Sequence, residues 1–488
     1  MSVSLSVAAH TNVGKTTLVR TLLKQDIGEV GDRPHVTEDA ERHTLIDTPS
    51  GDVLYLWDTP GFGDSARLLK RLKASGNPIG WLQTQVWDRL VDRPFFCSQR
   101  AFRNVRDESD LVLYLVNAAE DPAAAAYVEA ELQILAWIAK PVLLLLNQSG
   151  PPRPREAESA DEARWSRRLA EHVPAGRILT LDAFARCWVQ EDRLLGAASE
   201  LVAADKREEL ERLRGAWRAR NLEVFRDSMR ILAEHVAQVA SDRELVPERL
   251  DTGVLAQRVK LLFARDNERR DPAVENAIAT LTRRLDERLR SDTGRLIALH
   301  GLAGEAKQRI LERAAGQFDI VKPADVAGTG LVGGLLSGAL GGLAADLSTG
   351  GLTLGAGMLI GAIVGAVGAG GAARAYNLLQ GQEDGRVRWS ADFVAQRVRA
   401  VLLLYLAVAH FGRGRGRWRE GEAPAHWLPL IDEIAHAHAG SLDEALSGGK
   451  AGADAGALAA RLEPTLSAMG RDLLVRLYPD ALILFEGN

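Results

Sequence analysis

The sequence contains little cysteine and little net charge. Its 488 residues include two cysteines, Cys97 and Cys187, which are too few for a disulfide framework and are typical of a reducing cytosol. A net charge of −5 argues against a protein whose main partner is a nucleic acid. We expect no cleavable signal peptide, because the amino terminus runs directly into a predicted strand. A chain of this length is expected to fold as about two to four domains.

A phosphate-binding loop is predicted between a short apolar alternation, Val3 to Val7, and an apolar-periodic run typical of a helix. It matches the pattern GxxxxGK(S/T) at every fixed position except the first, where Ala9 replaces glycine. Backbone N–H groups of such a loop converge on the phosphates of a nucleotide. We expect Lys15 to reach the β- and γ-phosphates and the Thr16 hydroxyl to bind Mg²⁺. The residues expected to line the nucleotide are Asn12, Val13, Gly14, Lys15, Thr16 and Thr17.

Two later segments carry further candidates for the phosphate site. Thr37 lies in a polar loop, residues 28–37, and is a candidate second Mg²⁺ ligand that senses the γ-phosphate. Threonine is also common in ordinary loops, and that alternative stays open. A predicted hairpin of residues 44–57 ends in Asp58-Thr59-Pro60-Gly61. Asp58 is expected to hold Mg²⁺ through water, and the Gly61 N–H to bond the γ-phosphate.

These residues resemble the motifs of translation-factor-related GTPases, and within them the Era-like group. Gly14-Lys15-Thr16 matches the first motif, Thr37 the second and Asp58 to Gly61 the third. The resemblance covers residues 1–190 and implies an α/β P-loop domain with a mostly parallel sheet and helices on both faces. It implies GTP/GDP and Mg²⁺ as ligands. Further buried strands are predicted at residues 109–117 and 141–146, with a helix at residues 123–138 between them.

Phe62 stands where Ras-type members of this class carry the glutamine that orients the attacking water. An apolar side chain cannot orient water, so hydrolysis needs help from another group. The resemblance implies a K⁺ ion held by Asn12, which would supply the charge of an arginine finger. Alternatively, Asn12 bonds only to the backbone of its own loop. Arg67 and Arg71 are other candidate fingers, in an insertion at residues 64–107 whose apolar spacing predicts one or two helices.

The base-recognition motif departs from the family pattern. Asn-Lys-x-Asp is replaced by Asn147-Gln148-Ser149-Gly150, which keeps Asn147 and Ser149 as nucleotide-site residues but lacks the carboxylate. Loss of that bidentate acceptor is expected to weaken base discrimination by about 1–3 kcal/mol. A degenerate fifth motif is expected at residues 178–184, with Ala183 near the base. Asp182 is a candidate replacement carboxylate, although an Asp after a strand is also typical of a helix cap.

The remainder of the chain is predicted to be largely α-helical, with a helical stalk or bundle at 191–322 and a helical carboxyl-terminal region at 381–488. Residues 194–239 are expected to form a charged, solvent-facing helix. The apolar runs 428–434, 473–477 and 482–485 are expected to lie in the core. A helical bundle that only packs, and a stalk that relays the nucleotide state, both fit this pattern.

A glycine-rich helical hairpin is predicted within residues 323–380. Residues 327–373 contain a single charged residue, Asp346, and each half is long enough to span a membrane. The small-residue spacing permits close helix packing, so both a membrane-inserting hairpin and one buried in protein remain open. The basic run 413–419 is a candidate to contact anionic lipid headgroups or RNA, and an ordinary solvated loop is the alternative.

The whole chain resembles bacterial Era-like GTPases that carry a long carboxyl-terminal domain with a glycine-rich segment. We therefore expect a GTP-hydrolysing switch that is cytoplasmic and associated with the inner membrane through residues 327–373. A homo-oligomer or nucleotide-dependent dimer is a further expectation. The alternatives are a dynamin-like membrane-remodelling GTPase, an RNA or ribosome assembly GTPase, and a non-hydrolysing nucleotide-bound scaffold.

Overall fold

A computed structural model describes much of the chain in two compact units. The first contains the described residues within 1–223, 409–417 and 477–488, and the second those within 224–408 and 418–476. The four predicted domains stay a prediction. The described residues are 2–24, 39–74, 93–149, 154–174, 176–181, 187–246, 272–302, 379–381, 386–410, 424, 426–447 and 454–486.

The first unit is built on a six-stranded sheet in the order β2-β3-β1-β4-β5-β6. Strand β2 is antiparallel to β3, and all other neighbours are parallel, as the sequence predicts. Strands β4 and β5 are almost continuous apolar runs, which is the pattern of strands covered on both faces. The strands are β1 Ser2–Ala9, β2 Glu41–Asp47, β3 Val53–Asp58, β4 Leu111–Asn117, β5 Val142–Asn147 and β6 Ile178–Thr180.

Helices cover both faces of this sheet. One core joins Leu5 and Leu113 to α1, α6 and the first part of α7, and the other joins Val112 and Tyr114 to α2, α3 and α4. These two cores confirm the predicted α/β architecture. The helices are α1 Lys15–Leu23, α2 Ser65–Ala74, α3 Arg93–Glu108, α4 Ala126–Ile138, α5 Arg155–Arg168, α6 Trp188–Leu201 and α7 Ala204–Ser241.

The second unit is mainly helical, as predicted, but it also contains a small antiparallel sheet in the order β7-β9-β8. Residues 386–389 were expected to be helical and instead form a strand, because Val387 and Trp389 alternate with two arginines and point into the core. The strands are β7 Arg243–Leu245, β8 Leu379–Gly381 and β9 Arg386–Trp389. The helices are α8 Pro272–Leu299, α9 Ala391–Ala409, α10 Trp427–Ala437, α11 Ala439–Ser447 and α12 Ala455–Leu477.

The charged helix expected at residues 194–239 is divided between α6 and α7, and Leu213, Trp217 and Met229 are buried along one face of α7. At the carboxyl end, a 3₁₀ turn Pro479–Ala481 leads into α13, Leu482–Phe485. There Leu482 and Ile483 are exposed and only Leu484 is buried. Leu428 is also exposed, so these short apolar runs are only partly core.

The proposed membrane hairpin at 327–373 and the basic run at 413–419 lie outside the described residues. Within the part of the chain that the structure describes, no helix combines the length and apolar character needed to cross a bilayer.

Arg397 of α9 carries an unusual buried charge. Its guanidinium lies over the ring of Phe393, 5.2 Å from the centroid, and no described carboxylate pairs with it. Burial lowers the pKa of Arg397 to about 10. An unpaired buried charge opposes folding because its hydration is lost without compensation.

Replacement of this charge is expected to stabilise the protein. Arg397→Met should raise the free energy of unfolding by about 1–4 kcal/mol, measured by urea denaturation. The matched control is Arg399→Met two residues away, which removes an exposed guanidinium paired with Asp432 and should change stability by less than about 1 kcal/mol. A loss of stability in Arg397→Met would contradict the unpaired charge and point to an anionic partner.

Candidate nucleotide site

The loop between β1 and α1 adopts the backbone conformation that phosphate binding requires. Asn12 and Gly14 both have positive φ, at 65° and 93°, and α1 begins at Lys15. Asparagine and glycine are the residues that tolerate this region most readily. A turn of this kind directs successive N–H groups into one concavity at the positive end of a helix. The predicted phosphate-loop residues 12–17 are thus brought together, with the Thr17 side chain buried.

The altered base motif clamps this loop from the neighbouring strand. Asn147 is fully buried at the end of β5, and its Nδ2 donates to the Val13 carbonyl over 2.7 Å. Gln148, at φ 60°, donates from Nε2 to the Asn12 carbonyl over 3.2 Å. Both side chains therefore hold the loop backbone. Of the two predicted base-motif residues, Asn147 therefore contacts the loop, and Ser149 follows two positions later in the chain.

Lys15 is buried against the segment that follows β3. Its Nζ donates to the His10 carbonyl over 3.1 Å, and a Cβ on Gly61 would come within 2.9 Å of Nζ. The same Cβ would lie 3.1 Å from the Cα of Thr11, so glycine suits this close approach of two backbone segments. Burial lowers the pKa of Lys15, while the charges of Asp58 and Glu131 act in the opposite direction. The structure thus brings Lys15 and Gly61 together, as a γ-phosphate site requires.

Thr16 and Asp58 also meet, although they are separated by 42 positions in the sequence. The Thr16 hydroxyl donates to Asp58 Oδ2 over 2.6 Å, whereas Oδ1 is buried with no hydrogen-bond partner among the described residues. Burial raises the pKa of Asp58 to about 6. A buried carboxylate oxygen without a donor, beside a hydroxyl, fits Mg²⁺, which prefers hard oxygen ligands. Thr16 and Asp58 would hold the ion, directly or through water.

Phe62 points away from the loop and into the core. Its ring is fully buried and stacks on Phe102 at a centroid distance of 4.2 Å. Its backbone pairs with the loop, since Phe62 N donates to Ala9 O over 3.0 Å and Thr11 N donates to Phe62 O over 3.2 Å. The segment after Gly61 is therefore joined to the phosphate loop by main-chain hydrogen bonds.

The two candidate arginine fingers share one aromatic partner. The guanidinium groups of Arg67 and Arg71 each lie 5.0 Å from the centroid of Phe95 on α3, and Arg67 also pairs with Asp64 at 3.1 Å. These cation–π contacts give both guanidinium groups a partner within the protein, so their positions do not depend on a nucleotide.

Several predicted site residues fall outside the described part of the chain, namely Thr37, Gly150, Asp182 and Ala183. Conversely, sequence patterns did not single out Glu131, a fully buried carboxylate on α4 that lies 2.8 Å from His10 of the loop. One glutamate on a helix gives no sequence signal of this kind, because most helical glutamates face solvent.

Residues 5–148 match the family model described as 50S ribosome-binding GTPase. Together with the sheet order and the loop geometry, this match defines the first unit as a P-loop GTPase domain. Residues 177–457, more than half of the chain, match the model described as "Domain of unknown function (DUF3482)", and the chain belongs to that family.

Solved structures resemble the chain only distantly. Era from Aquifex aeolicus bound to GDP and AlF4⁻ shows 15% identity and a TM-score of 0.31. The match covers 41% of this chain and 57% of the Era chain, so the chain spans less than two thirds of that protein's length. NFeoB from S. thermophilus shows 12% identity and a TM-score of 0.21, with 44% of this chain and 86% of that chain covered. A bacterial dynamin from an oligomerised pair shows 9% identity and a TM-score of 0.20, and the match covers 99% of this chain and 85% of that chain. No curated protein matches the chain.

The clamp on the loop makes Gly14 intolerant of any side chain. A Cβ at position 14 would lie 2.8 Å from Asn147 Nδ2, in addition to the strain of a positive φ. Gly51 has a similar φ of 84° but open space around it, so it is the matched control. Gly51→Ala should lower the free energy of unfolding by about 1–2 kcal/mol from backbone strain alone. Gly14→Ala should lower it by about 1–3 kcal/mol more in urea denaturation. Equal losses in the two variants would show that Asn147 does not pack tightly on the loop.

Proposed function

We propose that the protein is a nucleoside-triphosphate hydrolase, most specifically a GTPase of Era-like type, that acts as a molecular switch. The observation that carries the proposal is the Thr16–Asp58 pair beside Lys15. It places a buried carboxylate, one oxygen of which has no hydrogen-bond partner among the described residues, within electrostatic range of a buried amine. The match of residues 5–148 to GTPases supports guanine as the base.

Each residue has a defined task in this proposal. Lys15 and the loop N–H groups neutralise charge on the β- and γ-phosphates as the leaving oxygen develops charge. Thr16 and Asp58 would hold Mg²⁺, and Thr37 is proposed as the second protein ligand of the ion. When bound, the ion would neutralise part of the negative charge of the phosphates. The Gly61 N–H bonds the γ-phosphate, and its proximity to Lys15 supports that role.

Water is the proposed nucleophile, and K⁺ the proposed source of additional positive charge. The burial of Phe62 against Phe102 supports the need for such help, since an apolar side chain packed in the core cannot orient the attacking water. Asn12 is the proposed K⁺ ligand. Its carbonyl accepts a hydrogen bond from Gln148, which leaves its side-chain oxygen as the proposed ligand atom.

Base recognition is proposed to depend on the segment around Ala183 rather than on the altered motif. Asn147 and Gln148 both donate to carbonyls of the phosphate loop, so their amides support the loop. With Gly150 in place of the carboxylate, discrimination between GTP and ATP is expected to be weaker than in GTPases that keep it.

Association with a membrane through residues 327–373 remains part of the proposal, with the inner membrane as its location. Its support is the near-absence of charge in that segment of the sequence. A homo-oligomer or nucleotide-dependent dimer is also part of the proposal. A ribosome-assembly role is the second candidate, favoured by the family description for residues 5–148, and the net charge of −5 argues against it.

Turnover of GTP and ATP by the purified protein, in KCl and in NaCl, tests this function. GTP hydrolysis should be at least about tenfold faster in KCl, because the bound ion replaces the charge of a finger. The control is Asn12→Gly, which keeps a residue that tolerates φ 65° but removes the side chain, and it should lose the K⁺ dependence. Equal turnover of both nucleotides would contradict guanine specificity. Binding without turnover would favour a nucleotide-bound scaffold.

A further inference from the structure

A single buried carboxylate joins three parts of the GTPase domain. Glu131 lies on α4 with its side chain fully buried. Its Oε1 lies 2.8 Å from His10 Nδ1 and also accepts from the Ser65 hydroxyl, while Oε2 accepts from the Tyr114 hydroxyl over 2.6 Å. Both carboxylate oxygens are therefore occupied by donors. None of these contacts is used by the proposed hydrolytic mechanism.

Two of the three donors lie in, or a few residues after, segments that contact the nucleotide in the proposed function. His10 is part of the phosphate loop, and Ser65 is the first residue of α2, four positions after Gly61. They share one oxygen atom of Glu131. The His10 ring is also held by Tyr127 of α4, with ring centroids 4.4 Å apart, and the Tyr127 hydroxyl is fixed by Glu120. The donor nitrogen of His10 is thus oriented from two sides.

Burial makes this contact sensitive to movement. An ionised carboxylate removed from water must have its lone pairs satisfied, and loss of one donor leaves a desolvated charge. A shift of α2 that withdraws Ser65 would leave His10 and Tyr114 alone to satisfy Glu131. A shift of the loop that withdraws His10 would make Ser65 correspondingly more important. The two donors are therefore expected to depend on each other although each contacts only Glu131.

The charge of Glu131 also acts on the phosphate site itself. It opposes the lowering of the Lys15 pKa that burial causes, so the carboxylate lies within electrostatic range of the amine. This second link supports a role in the loop's response to ligand as well as in the packing of α4.

We propose that Glu131 is a positioning residue that couples the phosphate loop to α2, so that the bound nucleotide sets the position of α2 through His10 and Ser65. The inference rests on the proposed function, because it assumes that the loop binds nucleotide. It predicts energetic coupling between two side chains that meet only at one carboxylate oxygen.

A double-mutant cycle with His10→Phe and Ser65→Ala measures this coupling. Phe keeps a ring to stack on Tyr127 but removes the Nδ1 donor, and Ala removes only the hydroxyl. For each variant the Kd of fluorescent GDP and GTPγS analogues is determined, and the ratio of the two is the readout. The combined effect on that ratio should depart from the product of the single effects by at least about threefold.

The matched control cycle replaces Ser65→Ala with Ser98→Ala. The Ser98 hydroxyl accepts from Gly63 N over 2.9 Å, so it supports the same segment through the backbone of Gly63 and leaves the Ser65 hydroxyl in place. This cycle should be additive within about twofold. Should a double variant fail to fold, amide hydrogen exchange of residues 65–74 in Ser65→Ala alone replaces it, and the difference between GDP and GTPγS should shrink at least about threefold.

The outcomes separate this inference from the proposed function. Additivity in both cycles, with normal nucleotide binding by the wild type, would overturn the role of Glu131 alone. Coupling in both cycles would overturn it as well, since the effect would then run through the backbone near Gly63. Failure of the wild type to bind either nucleotide would overturn the proposed function and the coupling with it.

Discussion

Two buried and opposite charges, Lys15 and Asp58, are the constraint on which the proposed phosphate site depends. Burial disfavours the charged form of each, so the pKa of Lys15 falls and that of Asp58 rises to about 6. Backbone carbonyls and the Thr16 hydroxyl offset this only in part, because one oxygen of Asp58 lacks a donor among the described residues. A metal–triphosphate would bring a cation to Asp58 and anions to Lys15 at once. The same ligand would therefore relieve both desolvation penalties.

The loop that carries Lys15 keeps its shape through contacts from three directions. Asn147 and Gln148 hold its backbone from β5, Phe62 pairs with it from the segment after β3, and Glu131 holds His10 from α4. The replacement of Lys by Gln in the base motif is explained by this geometry. An amide donates to the Asn12 carbonyl as an ammonium group would, so the clamp survives although the base-reading carboxylate is gone.

Much of the first unit could be predicted from the sequence because its signals are local. The phosphate loop, the buried apolar strands and Asp58 at a strand end each have a pattern that a short window reveals. The strands of the second unit are only three or four residues long, too short for a clear pattern, and residues 386–389 fell within the helical region predicted at 381–488. The burial of Glu131 and Arg397 could not be predicted either. Each is a single charged residue on a helix, and tertiary packing rather than a local sequence pattern decides whether its side chain is buried.

The central claim is that Lys15 and Asp58 form one site for a magnesium nucleoside triphosphate. Isothermal titration of Mg²⁺ and GTP into the wild type and Lys15→Ala tests it most directly. The account predicts binding by the wild type and a Kd at least about tenfold weaker in the variant, because a charge-assisted contact to phosphate is worth about 1.5–3 kcal/mol. Equal affinity in the two proteins, with both folded, would contradict it.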